Sequence, residues 1–252
     1  MALQRDWHTK PEAKSFFNAL NLGPSRRSFG LLDRPIFPKS PSGKQTTVHT
    51  YKIWVTSGPM ATGKSSTILK LAGQFIHHEK VYPTPGVEVT VVYWPMKNVM
   101  SEDVLLFRLE FWEAGSIAVS RYGYIEEMIH EENSPADAIL LTYSCVDRNS
   151  FESLPDILEM IKMKVNSEPL MICMATHADQ YLSAEVPESD ARKFASSQEL
   201  TLMRSKNVNI GERPNETIDA WSSIQEVGQT VGALCDLLYK RDLLKAQDGL
   251  SV

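Results

Sequence analysis

One nine-residue stretch constrains this chain more than any other: GPMATGKSS, from Gly58 to Ser66. It follows an apolar, strand-like run at Tyr51–Ser57 and precedes TILKLAGQF, which reads as a helix. The stretch matches G-x-x-x-x-G-K-[ST] in full, in the strand–turn–helix context that gives the pattern its meaning. A glycine-rich turn of this kind aims successive backbone N–H groups into one anion nest at a helix N-terminus, so Ala61, Thr62, Gly63, Lys64, Ser65 and Ser66 are the candidate phosphate-binding residues. Lys64 is expected to reach the β- and γ-phosphates, and the Ser65 hydroxyl to ligate Mg²⁺. A chance match in a polar surface turn is the bland alternative, and the flanking elements argue against it.

The rest of the chain alternates. Strand-like runs fall at Tyr51–Ser57, Val87–Trp94, Val104–Trp112, Ala138–Val146, Leu170–Ala175 and Leu200–Arg204. Helix-like segments fall near 64–76, 117–131, 153–165, 187–197 and 216–245, with Pro155 suited to the first turn of the third. In the last, Ile218, Trp221, Ile224, Gly228, Val231, Leu234 and Leu238 share one stripe. The spacing predicts an α/β fold built of βαβ units, with a mostly parallel six-stranded sheet and helices on both faces. The first 46 residues differ. Five of the fourteen prolines lie among the first 50, and a Ser/Gly/Lys stretch follows. Residues 1–46 read as a Pro-rich, partly disordered extension whose apolar clusters, Phe16–Leu22 and Phe29–Leu32, could dock on the body or on a partner. Residues 47–246 read as the folded domain and 247–252 as a short polar tail.

Composition removes several function classes. At 42% hydrophobic and 23% charged, the chain is neither collagen-like nor wholly disordered. A net charge of −5 gives no global basic field for nucleic acid or an anionic membrane, though a local patch remains open. Cys145, Cys173 and Cys235 lie far apart and read as reduced core thiols. The polar N-terminus, Ala2 and a C-terminus without cysteine lead us to expect no secretory signal and no lipid anchor, so that membrane association would come only through partners. A cytoplasmic location is expected.

Further residues fall into order around the Gly58–Ser66 stretch. Thr176-His177-Ala178-Asp179 follows the fifth strand and is similar to [NT]-K-x-D. A carboxylate at Asp179 accepts two hydrogen bonds from guanine N1–H and the 2-amino group, whereas adenine presents a lone pair there. Asp179 as a mere helix cap is the alternative. Thr84, between the first helix and the second strand, is placed to contact Mg²⁺ and the γ-phosphate, or is a simple turn residue between two prolines. Gly115 follows the third strand where small GTPases carry D-x-x-G, a resemblance that implies contact of its amide with the γ-phosphate, and Ser205 resembles the loop that backs the guanine. The His77-His78-Glu79 run reads as a solvated helix end rather than a metal site.

The body from Tyr51 to about Lys245 resembles the Ras superfamily, with AILLTYSCVDRNSFESL matching its fourth strand and following helix. Within it, FGLLDRP, VTVVYWPMK, FRLEFWEAGS, DRNSFESLP and DQYLSAEVPESD are similar to the Rem- and Rab-like small GTPases of the ciliogenesis and planar polarity effector group. The resemblance implies a Ras-like P-loop domain that binds GTP/GDP with Mg²⁺. It further implies work with the planar polarity effectors Fuzzy, Inturned and Fritz, in ciliogenesis, protein targeting to the basal body and vesicle traffic or exocytosis. Four residues depart from the superfamily pattern. Met60 replaces a P-loop glycine and crowds the space of an arginine finger. Trp112-Glu113 stands in place of the aspartate of D-x-x-G. Ser116 occupies the usual water-positioning site and is too short to orient water, so no catalytic residue is assigned. His177 replaces the lysine that lies along the guanine plane. The expectation is a guanine-nucleotide switch or scaffold with slow hydrolysis. The alternatives are a pseudo-GTPase interaction module that binds nucleotide weakly or not at all, and a P-loop kinase or ATPase, disfavoured by the lack of an arginine-rich lid.

Overall fold

The computed structural model describes residues 2–22, 25–26, 29–40, 42–58, 61–74, 76, 84, 86–115, 135–165, 167–208 and 220–247. Two 3-10 turns, Trp7–Thr9 and Pro11–Ala13, lead into helix α1 (Lys14–Asn18). Strands β1 (Asn21–Leu22) and β2 (Ser25–Arg26) form a small antiparallel pair. The main sheet consists of β3 (Thr47–Ser57), β4 (Val87–Lys97), β5 (Val104–Ala114), β6 (Ala138–Ser144), β7 (Leu170–Thr176) and β8 (Thr201–Arg204). Between and after these strands run α2 (Lys64–Ala72), α3 (Arg148–Glu152), α4 (Leu154–Lys164), α5 (Glu188–Ser197) and α6 (Ala220–Gln247). The strand order is β4-β5-β3-β6-β7-β8, parallel throughout except for the antiparallel pair β4–β5. The expected six-stranded, mostly parallel α/β sheet is therefore present.

Boundary differences have local causes. β4 runs past Trp94 to Lys97 and includes Pro95, because β4 is the edge strand and a missing N–H there costs no ladder bond. The helix expected near 153–165 is α4, and a short helix not expected from the sequence, α3, comes just before it. The Asp147 carboxylate accepts from the Asn149 and Ser150 N–H groups and caps α3, and α4 then starts at Leu154 with Pro155 in its first turn. The helix expected at 117–131 lies outside the described residues, as do Met60, Ser116, Ile218 and the His77-His78-Glu79 run.

The interior strands sort their side chains by period two. Ile53 and Val55, Leu140, and Ile172 and Met174 join one core with α2, α6 and the N-terminal segment. Trp54, Ile139 and Leu141, and Cys173 and Ala175 join a second with α3, α4 and α5. Helices thus cover both faces, as parallel strands require.

Residues 2–20 lie against the first of these cores. Leu3, Trp7, Phe16, Phe17 and Leu20 are buried. Phe17 meets Trp94 edge-on at 4.8 Å and Trp221 at 6.0 Å, and the Trp7 indole donates to Glu12 at 2.8 Å. The docking is completed by polar contacts. Arg5 pairs at 2.6 Å with Asp236, a fully buried carboxylate on α6 that also meets Lys240 at 2.8 Å, and Gln225 donates to the His8 carbonyl. Residues 29–40 run over the opposite face of β4. Phe29 stacks edge-on to Tyr93 at 4.9 Å, the Tyr93 hydroxyl donates to the Asp33 carbonyl, and Ser40 bonds Asp103 at 2.8 Å. Removing an aromatic anchor from the N-terminal segment therefore acts on the main core. Phe17→Ala is expected to cost about 3–5 kcal/mol in urea unfolding. Met163→Ala, on the exposed side of α4, should stay within about 0.5 kcal/mol of the wild type.

Candidate functional site

The turn between β3 and α2 is set by one backbone choice. Gly63 has φ +78°, a left-handed conformation that side chains rarely adopt, and it is the residue before the helix begins. A β-carbon there would also press on the Asn207 amide at 3.0 Å and the His177 ring at 3.2 Å. The first main-chain bond of the helix is Thr67 N–H to the Gly63 carbonyl, 2.9 Å, so the amides of Lys64, Ser65 and Ser66 have no intrahelical acceptor. They point out of the helix N-terminus, where an anion is stabilised.

Three strand ends hold this turn. From the end of β7, the Thr176 hydroxyl contacts two carbonyls, Thr62 at 2.6 Å and Tyr143 at 3.0 Å. From the loop after β8, Asn207 donates to the Gly63 carbonyl at 3.3 Å and to Thr67 Oγ1 at 3.0 Å, and accepts from Ser205 Oγ at 2.9 Å. From β6, Thr142 Oγ1 lies 3.0 Å from Thr62 Oγ1. His177, itself at φ +53°, sets its Nδ1 3.0 Å from Ser144 Oγ and 3.1 Å from Thr176 Oγ1, which brings the ring against Gly63. The Ala178 N–H donates to the Ser205 carbonyl at 3.2 Å, joining the loop after β7 to the loop after β8. Asp179 follows at once. Its Oδ1 is buried and has no hydrogen-bond partner among the described residues. A buried carboxylate oxygen without a donor is costly in isolation, and a bound group with N–H donors would satisfy it.

On the other side of the turn stands a small group of oxygens. Ser65 Oγ donates to Glu113 Oε1 at 2.8 Å and lies 3.4 Å from Thr84 Oγ1. Thr84 and Glu113 are buried. Burial pushes the Glu113 carboxyl up, while the Ser65 hydrogen bond and Lys64 pull it down. Burial lowers the Lys64 ammonium, and its Nζ donates to Ser57 Oγ at 2.8 Å. Two hydroxyls and a carboxylate are hard oxygen donors, the type that Mg²⁺ takes. The donor set and the unpartnered Asp179 oxygen thus both fit a nucleotide with its cation. The Gly115 amide donates to the Gly86 carbonyl at 2.9 Å, closing the β4–β5 ladder. A β-carbon on Gly115 would lie 1.8 Å from the Thr84 carbonyl, so only glycine lets the two segments meet here.

Sequence reasoning named Trp112-Glu113 together without deciding between them, and passed over Asn207. Counting three positions back from Gly115 lands on Trp112, yet strand alternation puts Trp112 on the face of Glu110, to which its indole donates at 3.2 Å. Glu113 is the residue that faces Ser65. Period two was the available signal. Asn207 carried none, because nothing in SKN says that its amide reaches back across 144 residues to Gly63.

Residues 53–210 match the model of the Ras family. Over 246 residues the chain is 35% identical to "Ciliogenesis and planar polarity effector 2" of Mus musculus and 34% identical to the Homo sapiens protein of that name, in each case across 96% of this chain and 90% of the relative. The Xenopus tropicalis protein of the same name is 32% identical over 243 residues, 94% of this chain and 90% of the relative. With the family's model matched over residues 53–210, and with relatives matched along almost the whole chain, this protein belongs to the Ras family.

Proposed function

We propose that this protein is a guanine-nucleotide-binding switch or scaffold with slow intrinsic hydrolysis. The observation that carries the reading is the orphaned, buried Oδ1 of Asp179 in the loop beside the left-handed turn at Gly63. Guanine offers that carboxylate two N–H donors, and adenine offers an acceptor. In this reading Lys64 and the amides at the start of α2 hold the β- and γ-phosphates. Ser65, Thr84 and Glu113 hold Mg²⁺, which supplies charge neutralisation between the phosphates when bound. Thr176, His177, Ser205 and Asn207 keep the base loop and the phosphate loop in one frame. The relatives' name supports a role in ciliogenesis and planar polarity, and the resemblance to that effector group extends the proposal to work with Fuzzy, Inturned and Fritz at the basal body and in vesicle traffic.

A second reading, a pseudo-GTPase module, draws support from internal satisfaction of the site: Lys64 already bonds Ser57, and Ser65 already bonds Glu113. Nucleotide released from freshly purified protein separates the two. GTP or GDP supports the switch, none supports the module, and ADP or ATP points to a different P-loop class.

Three outcomes are expected. Lys64→Ala or Ser65→Asn should abolish or greatly weaken GTP binding in calorimetry with Mg²⁺; unchanged affinity in both would overturn the phosphate assignment. Asp179→Asn should move the preference from guanine toward xanthine by more than about tenfold, since each hydrogen bond to a charged group is worth roughly 1.5–3 kcal/mol. Equal wild-type binding of ATP and GTP would contradict it. Single-turnover hydrolysis with loaded GTP should run at or below roughly 10⁻⁴ per second, because Met60 and Ser116 remove two contributions that chiefly position and stabilise charge. A rate near about one per second without a partner would show that another residue positions the water.

A further inference from the structure

Away from the nucleotide-type turn, residues 31–39 arch over the sheet face formed by the first halves of β3 and β5. They enclose a trough of about 670 Å³. The floor is Val48, Thr50 and Leu106, and the roof is the run Pro35–Pro38. The roof is tied at both ends. Arg108 donates to the Leu31 carbonyl at 2.6 Å, and Thr46 Oγ1 donates to the Pro38 carbonyl at 3.0 Å. The size is that of a small-molecule site.

Charge and exposure mark the rim. Arg108, at the floor, is neutralised by Glu110. Arg34 and Lys39, on the roof, are exposed and make no ion pair among the described residues. On a chain of net charge −5, the stretch 31–44 carries three cations and one carboxylate, Asp33. Beside the cations, Leu32 and Ile36 are 95% and 92% exposed. Unpaired cations flanked by fully exposed aliphatic side chains are a combination that meets an anionic amphiphile favourably.

The sheet decides between a peptide and an acyl chain. The trough lies on the face of these strands, and ladder groups point sideways in the plane of the sheet: β5 is bonded to both neighbours, β3 to β5 from Thr47 and to β6 from Ile53, so the face itself offers an incoming backbone no ladder groups. Pro35 and Pro38 give the roof no N–H at those positions. A peptide in the trough would bury main-chain polar groups without partners, at a cost an acyl chain does not meet. We propose that this trough binds an anionic lipid, with its acyl chain between Val48 and the proline roof and its phosphate or carboxylate between Arg34 and Lys39. This gives the protein a direct lipid contact, beyond the expectation that membrane association comes only through partners. It does not depend on nucleotide binding.

The test uses the full chain with two probes, monomeric oleate in calorimetry and sedimented phosphatidylcholine vesicles with and without about 30 mol% phosphatidylserine. We expect binding to oleate, to the anionic vesicles, or to both, and little to phosphatidylcholine alone. Oleate alone assigns a free fatty acid, and vesicles alone assign a phospholipid. Arg34→Glu with Lys39→Glu, both exposed, should weaken binding by about tenfold or more with unchanged thermal unfolding. Val48→Trp should weaken it by filling the trough. Binding lost on charge reversal but intact in a folded Val48→Trp variant would overturn the trough and leave only surface attraction. Absence of binding to both probes, equal binding to neutral vesicles, or indifference to charge reversal would overturn the proposal.

Discussion

The left-handed turn at Gly63 is the constraint on which the site depends. One residue at φ +78° caps the start of α2 and leaves the first helical amides pointing out of the helix N-terminus. Such a turn is not stable by propensity alone, and here strands far away in sequence hold it. Thr176 bonds the Thr62 carbonyl, Thr142 meets Thr62, and Asn207 bonds the Gly63 carbonyl. Each contact is worth only about 1 kcal/mol, but together they satisfy the Thr62 carbonyl, tie down the Thr62 hydroxyl and give the Gly63 carbonyl a second donor beside the Thr67 N–H. They also connect the turn at Gly63 to the loop that carries Asp179. Thr176 closes β7 and Asp179 follows in the loop directly after it, so the strand end that holds the turn also sets where the carboxylate begins.

The N-terminal forty residues treat the edge of the sheet as a surface to be covered. Residues 2–20 pack Trp7 and Phe17 under the β4 side that faces α6, and residues 29–40 cross the other side at Tyr93. β4 is an edge strand, and an unguarded edge invites pairing with other chains. The isolated bridges Leu3–Asn98 and Phe29–Val91 bring the extension against that region. Asp236 shows how firmly the first of these segments is joined to the body. A carboxylate with no exposed surface is tolerated because Arg5 and Lys240 both reach it, and removing one partner would leave buried charge.

Much of this architecture was legible in the amino-acid order. The apolar runs at Tyr51, Val87, Val104, Ala138, Leu170 and Leu200 each became a strand, because a parallel sheet buried on both faces leaves continuous apolar stretches that few other structures need. The turn within the Gly58–Ser66 stretch was legible for a different reason: the left-handed backbone ahead of α2 demands a glycine at Gly63, and that demand is local and does not wait for packing. The sequence by itself also determined Asp179 as the base-reading candidate and Pro155 as a helix start. Tertiary structure decided the rest. It made Glu113, not Trp112, face Ser65, because the pleat of β5 fixes which neighbour points inward. It brought Asn207 to Gly63 and Arg5 to Asp236, contacts spanning 144 and 231 residues that no local signal encodes. It turned a proline-rich leader into the cover of an edge strand, since what an aromatic side chain buries depends on which distant surface the fold leaves open.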